Sequence, residues 1–136
     1  MPTTNLSVAK KIILGVAIFW TFLIAFLCLV QFNDLPSFGV SGMDKYVHFT
    51  FHFVFTFLWS VYFCSLLKDI TFKTVFNVFF VSVSYGILIE FLQGTCTSTR
   101  KADIMDVLAN ATGSLIAIIA ILLYKYFRQK KLLTNK

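Results

Sequence analysis

The sequence predicts an all-α integral membrane protein, a four-helix up-down bundle with both termini on the cytoplasmic side. Three observations carry this expectation. Hydrophobic residues make up 58% of the 136 positions and charged residues only 13%, where a soluble domain carries about a quarter charged. The apolar residues form four long runs rather than the interrupted stripes of helices with one wet face. The basic residues then segregate to alternate connections.

The first run, 12–32, follows Lys10 and Lys11 and resembles a secretory leader at first sight. It continues for 21 residues without an A-x-A-like cleavage site, so it reads as a retained helix. Asn33, Pro36, Gly39, Ser41 and Gly42 then mark a turn-rich connection. The second run, 46–67, and the third, 72–93, are separated by only a few polar residues, and the fourth, 104–127, follows a connection at 94–103. Each run meets the roughly 20 apolar residues needed to cross the hydrocarbon core. Short connections make successive helices antiparallel neighbours. The spans occupy most of the chain, so a single membrane domain is expected over 1–136. Residues 129–136 read as a basic tail, frayed against anionic headgroups.

Lys10 and Lys11, Lys68 and Lys73, and Lys125, Arg128, Lys130, Lys131 and Lys136 place nine basic residues on one side, against Lys45, Arg100 and Lys101 on the other. The richer side is the cytoplasmic one. This distribution accounts for the net charge of +6 without nucleic acid, which is excluded as a partner. Cys28, Cys64 and Cys96 form no CxxC and no metal-ligand spacing. They read as packing residues, and Cys28 and Cys96 are the one pair whose depth permits a disulfide.

The remaining polar residues are the informative part. Five of the six acids, Asp34, Asp44, Glu90, Asp103 and Asp106, fall toward the outer side. Asp44, His48 and His52 are spaced i, i+4, i+8 on one face of the second helix. Asp44 is placed either to cap the helix or to orient His48, whereas His52, deeper among phenylalanines, reads as a packing residue bonded to a neighbouring helix. Glu90 and Gln93 share a face one turn below the outer end of the third helix. A carboxylate there is costly in lipid and must face the bundle. Asp103, Asp106 and Asn110 line the start of the fourth helix, with Arg100 just before it and Asp103 also suited to capping. Ala109, Ala111, Gly113, Ser114 and Ala117 allow close approach, which is expected to bring this face against the third helix. Three helix ends thus deliver Asp44, Lys45, His48, Glu90, Gln93, Arg100, Asp103, Asp106 and Asn110 to one membrane level, as a polar pocket open to the outside.

In this order, D-K-x-x-H-F (Asp44 to Phe49), E-x-x-Q (Glu90 to Gln93) and R-x-x-D-x-x-D-x-x-x-N-x-x-G (Arg100 to Gly113) resemble the VanZ-like family of bacterial membrane proteins. The resemblance covers roughly residues 34–125. The family is named for a protein linked to low-level teicoplanin resistance, and the resemblance implies a multi-pass protein of a bacterial cytoplasmic membrane. It carries over Asp44, Lys45, His48, Glu90, Gln93, Arg100, Asp106 and Asn110, but neither a defined activity nor resistance itself. Residues 94–99, Cys96 included, lie outside the shared pattern.

Two classes of function fit. The first is a binding protein whose mixed-charge pocket takes an envelope precursor, a lipid headgroup or a glycopeptide-like ligand, with no cofactor and no resident metal. The alternative is a membrane-embedded hydrolase or transferase acting on a lipid-linked substrate, with His48, Glu90 and Asp106 as catalytic groups or as ligands of a divalent ion. HExxH and the nucleophile elbow are both absent from the sequence. An ion-paired clasp without a ligand is a third reading. A transporter is disfavoured because the polar residues gather at one end. The sequence leaves oligomeric state open.

Overall fold

A computed structural model describes residues 7–30, 42–96 and 102–134. The described chain is helical throughout: α1 (Val8–Leu29), α2 (Met43–Leu67), α3 (Phe72–Cys96) and α4 (Ile104–Thr134). All four are long and apolar enough to cross a membrane. At 1.5 Å per residue they measure about 33 to 46 Å, against a hydrocarbon core of about 30 Å. The outward faces carry Phe19, Phe22, Phe26, Phe80 and Phe91, a coat suited to lipid rather than water.

The helices overrun the apolar runs at several ends. α1 begins at Val8, because Lys10 and Lys11 are good helix formers with stems long enough to reach water. α4 continues to Thr134 as a single helix of 31 residues, so the stretch expected to fray is helical through its Gln, Lys and Leu residues.

α2 and α4 form the most extensive pairing, α3 touches all three other helices, and α1 rests on α2 and α3. As the sequence leads one to expect, the polar face of α4 meets α3, at Gly86 and Ser82, and α4 is pressed still more extensively on α2. A Cβ on Gly113 would lie 2.1 Å from the carbonyl oxygen of Phe49, so the two backbones are in contact there. Lipid tails give apolar helix surfaces no reason to leave them, and close packing and hydrogen bonds decide the pairing instead. Asn110 and Ser114, one turn apart, still reach α3.

α1 buries only Ala17, Ile24 and Cys28, and hydrogen bonds supply much of its attachment. The Trp20 indole donates to the Phe51 carbonyl (3.0 Å), the Trp59 indole to Thr21 Oγ1 (3.1 Å) and the Tyr85 hydroxyl to the Thr21 carbonyl (2.6 Å). At the α2–α3 turn, Lys68 takes a left-handed conformation (φ 58°), and Lys125 of α4 bonds the Ile70 carbonyl and pairs with Asp69 at 3.6 Å. The three cysteines are not joined in disulfides; Cys28 and Cys64 are buried and Cys96 is exposed.

Candidate functional site

The first turns of α2 and α4 and the last turns of α3 converge at one end of the bundle. His48, Glu90, Asp106 and Asn110 are 4%, 3%, 7% and 0% exposed, so they form an enclosed floor. Asp44, Lys45 and Asp103 stand above it on the accessible rim.

On the rim, the Lys45 ammonium lies 3.2 Å from both Asp44 and Asp103 and 3.5 Å from Asp106 Oδ1. Asp44 lies inside the first turn, after Gly42 at the N-cap position. Its carboxylate pairs with Lys45, and the described partners of His48 are other groups. Asp103 is the residue that caps a helix: its Oδ1 accepts from the Met105 N–H at 2.8 Å. That bond, together with Lys45, holds the Asp103 carboxyl below its ordinary value of 3.8. A lowered folded pKa means the Lys45–Asp103 link is complete above the ordinary value and is lost only as pH falls through the lowered one.

On the floor, His48 Nε2 lies 3.6 Å from Glu90 Oε1 and 3.7 Å from Asp106 Oδ2. Its Nδ1 is 3.2 Å from Asn110 Oδ1. A carbonyl oxygen only accepts, so Nδ1 carries a proton in this amide orientation. Glu90 Oε2 accepts from the Asp103 N–H at 3.1 Å. Glu90 Oε1 is buried without a hydrogen bond. Its carboxylate thus faces the bundle interior rather than lipid.

Gln93, grouped with Glu90 by its spacing, turns elsewhere: its amide donates to the Cys28 carbonyl of α1 at 2.8 Å. Arg100 lies outside the described residues. His52 packs one turn below the floor and meets Ser82 at 2.9 Å; Ser82 meets Ser114 at 2.8 Å, and Ser114 donates to the Asn110 carbonyl. Sequence reasoning missed Ser82 and Gly86 altogether. A Cβ on Gly86 would stand 2.7 Å from Asn110 Nδ2 and 3.0 Å from His52 Cε1, so the missing side chain is what admits the amide of Asn110. Buried polar atoms also continue down α2, where His52 Nε2, Thr56 Oγ1 and Ser60 Oγ have no hydrogen-bond partner. The interior polar stripe therefore runs deeper than the outer-end clustering seen in the sequence.

The arrangement can hold charge in two ways. Its ammonium and carboxylates present a zwitterionic rim, and its imidazole and two carboxylates face one another across a gap too wide for direct hydrogen bonds. No family model matches this chain, and no curated protein and no solved structure matches it either.

Proposed function

We propose that this chain is a VanZ-like multi-pass protein of a bacterial cytoplasmic membrane, whose polar site faces outward and binds a cell-envelope precursor, lipid headgroup or glycopeptide-like ligand. The observation that carries the reading is the convergence of Lys45, Asp103, His48, Glu90, Asp106 and Asn110 from three helices onto one end of an otherwise apolar bundle. Buried charges at membrane depth are costly, and they mark functional sites more often than structural clasps. The nine-to-three distribution of basic residues supports an outward orientation with both termini cytoplasmic. The up-down order is supported by the pairings: Lys45 with Asp106 near the start of α2 and α4, Cys64 with Ile121 further along both.

Orientation has a direct test in the thiols. In intact spheroplasts a membrane-impermeant maleimide is expected to label Cys96, which is exposed near the site, and to leave Cys28 and Cys64 unlabelled until the protein is denatured. Labelling of Cys96 only from the cytoplasmic side would reverse the proposed topology.

Ligand class is tested by thermal stability of detergent-purified chain against phospholipids, lipid-linked envelope precursors and a glycopeptide. The expected result is a shift in melting temperature for wild type that Glu90→Gln loses. If no compound shifts the wild type and the mutant is merely less stable, the cluster is a structural clasp.

The enclosed triad of His48, Glu90 and Asp106 favours a second reading, a hydrolase or transferase acting on a lipid-linked substrate. Metal-dependent release of a headgroup from the ligand found above, absent in Glu90→Gln, would move the assignment from binding protein to enzyme.

A further inference from the structure

We propose that His48 Nε2, Glu90 Oε1 and Asp106 Oδ2 bind one divalent transition-metal ion, of the zinc or manganese type, at the floor of the polar site. The inference deepens the headgroup-binding reading, since an ion there would present an open coordination position toward the rim where an anionic ligand docks.

Three features point to an ion rather than to the side chains satisfying one another. One donor atom of each residue lies within 4.8 Å of the others, and the Nε2 to oxygen separations of 3.6 and 3.7 Å exceed hydrogen-bond length. Donors bound at about 2.0 to 2.2 Å around a four- or six-coordinate ion are themselves roughly 3.0 to 3.6 Å apart, so small movements would close the shell. Glu90 Oε1 is aimed into this gap, buried and without a hydrogen bond, an expensive state for a carboxylate oxygen at membrane depth.

The third feature is that the other ends of two of the three donors are held by hydrogen bonds and that of the third faces an ammonium. His48 Nδ1 donates to Asn110 Oδ1 and Glu90 Oε2 accepts from the Asp103 N–H, while Asp106 Oδ1 makes no hydrogen bond and is steadied by the Lys45 charge at 3.5 Å. This is the outer-shell pattern that fixes the tautomer and orientation of metal ligands. With Nδ1 protonated, a neutral imidazole turns its lone pair toward two carboxylates, and a cation between them removes the repulsion. Two carboxylates and a neutral imidazole also balance a divalent charge in a low-dielectric setting. One nitrogen with two oxygens suits zinc or manganese and gives no soft sulfur ligand that would favour copper(I).

The test uses the full chain purified in detergent without chelator. Metal content is measured by mass spectrometry, and the EDTA-stripped protein is then titrated with Zn2+ or Mn2+ alone. About one ion per chain is expected, with a higher melting temperature on rebinding. Glu90→Gln and His48→Gln are expected to lose the ion, and Asn110→Ala to bind about 10- to 100-fold more weakly. Asp69→Asn, at the far end of the bundle, should bind like wild type. A wild type that holds no ion and shows no shift with either metal overturns the proposal, as do Glu90→Gln and His48→Gln proteins that bind as well as wild type. Should both ligand variants fail to fold, the spectrum of Co2+-loaded wild type decides: imidazole and oxygen ligation supports the site, and ligation without imidazole overturns it. Headgroup shifts in a protein that holds neither metal would overturn the ion while leaving the binding reading intact. Ion binding without any headgroup shift would do the reverse.

Discussion

Gly113→Ala is expected to cost at least about 3 kcal/mol, the upper end of the range for overpacking, and to leave little folded chain in detergent. The added methyl would stand 2.1 Å from the Phe49 carbonyl oxygen and 2.9 Å from its carbon. Both are backbone atoms within α2 and cannot rotate aside, so α2 and α4 must separate by more than an ångström. That separation would pull Asn110 from His48 and Asp106 from Lys45, both of which lie within two turns of Gly113. Thermal melts followed by circular dichroism, with size-exclusion profiles, read the outcome. A loss below about 1 kcal/mol would mean that the two helices do not touch at this level.

Gly86→Ala is expected to behave differently although the nominal clash is similar. Its methyl would meet the amide of Asn110 at 2.7 Å and the ring of His52 at 3.0 Å, and side chains can give way. Stability should fall by about 1 to 3 kcal/mol, while ligand and ion binding should fall by at least tenfold, because the displaced amide is the one that orients His48. Comparing melting temperature with binding in the same preparation separates the effects. Binding equal to wild type in a destabilised Gly86→Ala protein would remove Asn110 from the positioning of His48.

Much of the site was legible in the sequence because helical spacing converts directly into shared faces. Asp106 and Asn110 at i, i+4, and His48 and His52 at i, i+4, needed only the 3.6-residue period to be placed toward the interior. What the period does not supply is the rotation of each helix about its axis relative to its neighbours. Glu90 and Gln93 are three residues apart, about 60° around the helix, and that difference sends one to His48 and the other to the Cys28 carbonyl. The same ambiguity concealed that Asp44 would pair with Lys45 while Glu90 and Asp106 flank His48. The missed residues carried a usable signal. Ser82 and Gly86 precede Glu90 at intervals of four, as Asn110 and Ser114 follow Asp106, so extending the register inward from each acid traces the buried lining of α3 and α4.

The tie between Lys125 and the α2–α3 turn gives the molecule a built-in ruler. Asp106 and Lys125 are 19 positions apart on α4, a rise of about 28 Å, which matches the thickness of a hydrocarbon core. In a bilayer of that thickness, the Lys45–Asp103 rim and the Lys125–Asp69 pair would both reach water, and sliding in either direction would draw one of these pairs into hydrocarbon. The floor lies at the Asp106 end of that distance, where His48 Nε2 stands 3.6 Å from Glu90 and 3.7 Å from Asp106. The remaining turns of α4, with Arg128, Lys130 and Lys131, would then extend past the hydrocarbon as a helical basic stub.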